Sequence, residues 1–232
     1  MGIDHSPRAT ESPMNHWITL ATAHGPVRAW QALPDGPARG GLVVIQEIFG
    51  ANAHVRHVAD QYAGEGYAVL APSFFDPIEP GLELDYDAAG TTRGKALVDA
   101  LGVDRAVDIV DAAARALSGH GKVGTVGYCW GGTIALLAAQ RLGLPSASYY
   151  GARNVPFLDA PFKAPAIFHF GAQDPSIPPA AVAAHREKQP SMQVYVYPAG
   201  HAFNREVGAH YHAPSAALAR ERTLAFLSEN LR

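Results

Sequence analysis

One segment constrains this chain more than any other: Val126-Gly127-Tyr128-Cys129-Trp130-Gly131-Gly132, where the only cysteine of 232 residues stands between a short apolar run and a small-residue helical stretch. A strand that turns directly into a helix forces the corner residue into a strained, exposed position. Glycines two before and two after it remove the side chains that would collide there. With 23 glycines in 232 residues, glycine two before, two after and three after a lone cysteine has a chance of ~0.001. A small buried hydrophobe, the plainer reading of a cysteine, leaves that glycine frame unexplained. The segment predicts a strand, a corner and a helix, with Cys129 as nucleophile.

Such a corner needs a sheet around it, and the chain has the texture of one. Short apolar runs at Leu42–Ile45, Ala68–Ala71, Val123–Val126, Ala147–Tyr150, Ala166–Phe170 and Val194–Tyr197 alternate with longer helical patterns. Strands buried on both faces with helices between them indicate a mainly parallel central sheet with helices on both faces, an α/β fold. Two alternating segments, Trp17–Thr22 and Pro26–Ala32, are separated by His24-Gly25 and predict an N-terminal hairpin at the sheet edge. Val103, Val107, Val110, Ala114 and Leu117 share one helix face, as do Leu224, Leu227 and Leu231. The acidic, Gly- and Pro-containing stretch between Pro72 and Leu97, irregular from Asp76 to Asp87, reads as an excursion over the active-site rim.

A hydrophobic fraction of 48% fills one substantial core, so residues 14–232 are expected to form a single domain behind a polar, disordered tail at 1–13. A net charge of −3 with scattered lysines and arginines offers no field for nucleic acid or an anionic membrane. No apolar run approaches a membrane span. One cysteine makes no internal disulfide, and a working thiol favours a reducing compartment, which points to the cytoplasm. A monomer or weak homo-oligomer is expected.

A cysteine attacks as its thiolate and needs a base nearby and a stabilising field. The free N–H groups and dipole of the helix beginning at Trp130 supply the field. The base is sought at later strand exits, because loops at the carboxyl ends of parallel strands share one rim. Asp174 is the only carboxylate in Gly171–Pro178, and His201 follows Gly200 after the last apolar run. Taken singly, Asp174 also reads as a turn residue and His201 as a surface histidine. Together with Cys129 they stand in the chain order nucleophile, acid, histidine, the order of α/β-hydrolases. The loop Gln46–Gly50 then supplies a second oxyanion donor, the Ile48 N–H beside the Trp130 N–H. Glu47 in that loop is either a solvated carboxylate or part of the chemistry.

These residues resemble the dienelactone hydrolase family, cysteine-dependent members of the α/β-hydrolase fold, from about Trp17 to the end. The likeness rests on Gln46-Glu47-Ile48-Phe49-Gly50, Gly127–Gly132, Gly171-Ala172-Gln173-Asp174, Ala199-Gly200-His201-Ala202-Phe203 and Glu221-Arg222-Thr223-Leu224. The resemblance implies a Cys129–His201–Asp174 triad, a Glu47 that contacts the resting thiol and helps deprotonate it, and an Arg205 that holds Glu47 and meets a substrate carboxylate. It implies no cofactor and no metal. Two positions depart from the pattern: Ala202 replaces a serine, and the second substrate-binding arginine has only Arg93 as a loose match. Both point away from dienelactone itself.

Phe49, Tyr86 and Phe203 are candidate substrate-binding residues, and Phe74, Phe75, Tyr86, Trp130 and Phe203 fall near strand exits where aromatics either wall a pocket or pack the core. The pairs His54/His57 and His210/His212 lack a neighbouring acid or thiol at a metal spacing. The expected activity is hydrolysis of a small carboxylic ester or lactone through an acyl-cysteine. A thioesterase or acyl transferase on the same residues, a non-catalytic binding protein and a thiol redox sensor are the alternatives.

Overall fold

A computed structural model describes residues 15–231; the expected tail at 1–13 lies outside them. Eight strands form one sheet: β1 (His16–Thr22), β2 (Gly25–Ala32), β3 (Gly41–Ile45), β4 (Ala68–Pro72), β5 (Val123–Tyr128), β6 (Ser146–Tyr149), β7 (Ala166–Gly171) and β8 (Gln193–Tyr197), in the spatial order β1-β2-β4-β3-β5-β6-β7-β8. Every pairing from β4 to β8 is parallel, while β1 with β2 and β2 with β4 are antiparallel. All residues of β3, β4, β6 and β7 are buried, which a sheet achieves only when both faces are covered. The mainly parallel α/β sheet read from the apolar runs is therefore present, edge hairpin included. The hairpin turn lies one residue earlier than expected. Thr22 pairs with Gly25, so Ala23-His24 form the loop and Gly25, at φ 96°, is already in the strand.

Helices α1 (Ala53–Gly64), α2 (Ala88–Leu101), α3 (Val103–Leu117), α4 (Trp130–Arg141), α5 (Pro179–Lys188) and α6 (Ala213–Asn230) complete the fold. The predicted stripe on α3 is buried at Val107, Val110, Ala114 and Leu117, with Val103 packed at its edge. At the C-terminal end Leu227 and Leu231 are buried and Leu224 is partly so. No described helix is long and apolar enough to cross a membrane.

The excursion after β4 is irregular only in its first half. From Ala88 it becomes α2, capped by the Asp87 carboxylate, which accepts the Gly90 N–H at 2.7 Å. Sequence pattern hides this helix because Gly90, Thr91, Thr92 and Gly94 are poor helix formers. Tertiary contact explains the choice: a Cβ on Gly94 would lie 2.1 Å from the Ile48 carbonyl oxygen, so α2 is packed directly on the loop after β3.

Candidate active site

Cys129 sits at the corner between β5 and α4 with φ 55° and ψ −117°, a region that non-glycine residues enter at a cost of about 1–3 kcal/mol. Its surroundings force that conformation. A Cβ on Gly127 would lie 1.9 Å from the Gly131 carbonyl oxygen, and one on Gly131 would lie 2.4 Å from that of Gln46. The glycine frame thus lets α4 start against both its own strand and β3. The Cys129 N–H donates to the Tyr149 carbonyl at 3.0 Å, which anchors the corner to the end of β6.

The exits of β7 and β8 bring two further side chains to this corner. His201 Nε2 lies 3.2 Å from Cys129 Sγ, and its Nδ1 lies 2.6 Å from Asp174 Oδ2. Asp174 is buried, and its other carboxylate oxygen accepts the Ser176 N–H at 2.8 Å, which fixes the group's orientation. Burial works to lower the basicity of His201. Hydrogen bonds to Asp174 and Cys129, with the negative charge of both, outweigh it and push the imidazole up to about 10.

On the opposite side, the loop after β3 presents Glu47, Ile48 and Phe49 to the same cavity. Neither the Ile48 nor the Trp130 N–H donates to a protein acceptor among the described residues, so both are available to a ligand. Glu47 is buried and pairs with Arg205, Nη1 to Oε2 at 3.4 Å, whereas the thiol hydrogen-bonds His201. Arg205 thus holds Glu47, as the resemblance implies, and among the described residues no hydrogen bond joins Glu47 to the thiol. Burial raises the Glu47 pKa, opposed by the charges of Arg205 and His201. The Arg205 guanidinium is held by its Nε bond to the Val207 carbonyl at 3.0 Å and lies 4.2 Å from the Tyr86 ring centroid. Tyr86 in turn packs edge-on against Phe49 at 4.6 Å and donates to Asn52 Oδ1 at 3.3 Å.

These groups line a cavity of about 680 Å³. Phe49, Tyr86 and Arg205 face it, as expected, but Phe203 does not. It is fully buried and packs on Tyr149, Tyr150 and Tyr197, because the turn after His201 drives it into the core. Arg93 is drawn off to Glu79 on the surface at 2.5 Å. Two residues that sequence reasoning passed over belong here. Lys95, one turn into α2 from the cavity rim, lines it without an ion-pair partner among the described residues. Tyr150 is buried with φ 39°, an outlier for a bulky residue, and its ring meets His201 edge-on at 5.1 Å. Burial, then the charges of Glu47 and Cys129, push its phenol well above the usual value, so it lies within the electrostatic reach of both. No group of three or more metal-ligating side chains occurs among the described residues.

Comparison with known proteins follows the same outline. The sequence profile of the dienelactone hydrolase family matches residues 27–231. The chain belongs to the dienelactone hydrolase family. A carboxymethylenebutenolidase of Pseudomonas putida is 36% identical over 216 residues, covering 85% of this chain and 90% of the relative. A solved Klebsiella pneumoniae structure, provisionally named a dienelactone hydrolase, superimposes with a TM-score of 0.80 at 29% identity, over 93% of this chain and 98% of the other. A dienelactone hydrolase-like promiscuous phosphotriesterase from metagenomic libraries shares the fold at a TM-score of 0.76 and 21% identity, over 94% of this chain and 99% of its own. This family member is accordingly a hydrolase, of the class that acts on lactones and esters.

Proposed function

We propose that this dienelactone hydrolase family member cleaves a carboxylic ester or lactone through an acyl-cysteine intermediate on a Cys129–His201–Asp174 triad. One observation carries the reading: the continuous line from Cys129 Sγ through His201, at 3.2 Å, to the buried Asp174 carboxylate, at 2.6 Å.

His201, held up to about 10, already carries the proton at neutral pH, and Sγ attacks the carbonyl carbon as the sulfur of that ion pair. Asp174 holds the ring through Nδ1–H and stabilises the imidazolium. The oxyanion accepts the unengaged Ile48 and Trp130 N–H groups at the positive end of α4. Collapse breaks the carbon–oxygen bond, and the departing alkoxide takes the proton from His201; in a lactone it stays tethered to the acyl group. Acylation removes the negative sulfur that helps hold His201 near 10. The imidazole thereby becomes basic enough, yet unprotonated enough, to take a proton from water, which attacks the thioester and releases the thiolate. In enzyme whose proton rests on sulfur instead of on His201, Glu47, whose affinity for a proton is raised by burial, is a second acceptor once a substrate anion draws Arg205 away.

The test is Cys129→Ala assayed on aryl acetates and a butenolide-type lactone. Loss of at least about a thousandfold in kcat with an unchanged fold is expected, and full retention of hydrolysis would assign the nucleophile elsewhere. An acyl thioester in the same panel distinguishes the thioesterase alternative.

A further inference from the structure

The cleft around Cys129 is larger than a small lactone requires. Its 680 Å³ falls within the roughly 300–1,000 Å³ of sites that hold drug-sized ligands. Beside it lies a second cavity of about 550 Å³, and the two share a wall made of Trp130, Ala152 and Arg153. The rest of the second lining is mainly apolar: Val98 from α2, Val103 at the start of α3, and Pro156 and Phe157 from the turn after β6. Thr133 contributes little polarity, since its hydroxyl is committed to Asn154 Oδ1 at 2.8 Å. Arg153 on the shared wall is tied to Asp99 of α2 at 2.7 Å, with both side chains more than half exposed. A pair so exposed is weak and opens easily.

We infer that the cleft is bipartite and that the chamber beyond Trp130 receives an elongated apolar group, alkyl or aryl, on the ester whose carbonyl sits at Cys129. This rests on the ester-hydrolase reading above and names its substrate class. Trp130 joins the two parts: its N–H is an oxyanion donor in the reading above, and its side chain, packed on Phe74 at 5.6 Å, stands between the two cavities, where the apolar group would pass. Nothing beyond binding is asked of the chamber, so its contribution appears in selection between substrates of different length.

Two ester series test this: 4-nitrophenyl esters from acetate to octanoate, which lengthen the acyl side, and phenyl against biphenyl-4-yl acetate, which lengthens the alcohol side. One series is expected to gain in kcat/KM by up to about fourfold per buried methylene or its equivalent until the chamber is filled, and which series gains identifies the end that enters. Val103→Trp, which fills the chamber from α3, is expected to lower the long-to-short ratio of kcat/KM at least tenfold; Val103→Ala is expected to keep it. Pro156→Trp blocks from the exposed side and guards against a folding defect in the first variant. A ratio unchanged by both tryptophans, or no gain with length in either series, overturns the inference. Calorimetric binding of the uncharged 4-phenylbutan-1-ol separates the chamber from the chemistry. If no ester is turned over but this alcohol binds at least tenfold more weakly to Val103→Trp, the hydrolase reading fails and the chamber stands. If it binds equally to both proteins, the chamber fails.

Discussion

Glu47 and Arg205, 158 residues apart in sequence, meet as a buried pair in the wall of the cavity that holds Cys129. Removing one member leaves the other charge buried and unmatched, which typically costs about 3–5 kcal/mol, whereas replacing both is far milder. Arg205→Met is therefore expected to destabilise strongly in urea denaturation at pH 7, and Glu47→Gln/Arg205→Met to recover most of the loss. Simple additivity of the two single variants would show that the pair is not coupled. The pH dependence has a definite sign. Because the folded pKa of Glu47 is raised above 4.5, stability is full below that value and falls as pH rises through the folded value. Glu47→Gln should flatten that slope and Arg205→Met should steepen it.

The glycine frame of the corner yields a second prediction. Gly127 has a backbone oxygen 1.9 Å from where a Cβ would stand, and backbone cannot swing aside as a side chain can. Gly127→Ala is expected to cost at or above the upper end of the ~1–3 kcal/mol seen for overpacking. Gly119→Ala, with nothing within 4 Å of its added carbon, should stay within about 0.5 kcal/mol. Equal midpoints and slopes for the two variants in chemical denaturation would refute the steric account.

Charge selection gives a third. Arg205 is matched by Glu47 and Arg153 by Asp99, which leaves Lys95 as the uncommitted lysine or arginine among the described cavity residues. Lys95→Met is expected to lower kcat/KM for 4-nitrophenyl hydrogen succinate by roughly two- to fivefold, with the effect fading as salt is added, and to leave 4-nitrophenyl butyrate nearly unchanged. An equal drop on both esters would mean that Lys95 acts through packing and not through charge.

What was legible in the sequence is what short spacing or strand position determines. The corner at Cys129 announces itself through its glycine spacing, of which the close approach of Gly127 to Gly131 is local while Gly131 answers to Gln46 at the exit of the neighbouring strand, and Asp174 and His201 through their places at strand exits. Phe203, open in the sequence to pocket or core, packs in the core, because proximity to His201 in sequence does not say which way the next two side chains turn. Tyr150 carries no local signal at all. Its positive φ is imposed by the loop after β6 and its meaning by partners on three other loops: Glu47, Cys129 and His201. Lys95 was invisible because α2 was, and α2 exists through its contact with Ile48 and not through its own propensity.

The proton on His201 is the most direct handle on the proposed chemistry. The ring is held up to about 10 against a reference value of 6.5, so between those values the folded protein keeps a proton that the unfolded chain has released. The stabilisation is fully present below about 6.5 and is lost as pH rises through about 10. In urea denaturation across pH 6 to 10.5, wild type should lose stability in that window, while His201→Gln, which cannot titrate, should not. Cys129→Ala is expected to weaken the effect without abolishing it, because Asp174 continues to hold Nδ1. A wild-type profile that is flat from pH 6.5 to 10 would mean that the resting imidazole is neutral, and the thiol would then have to surrender its proton to His201 or Glu47 only after substrate enters.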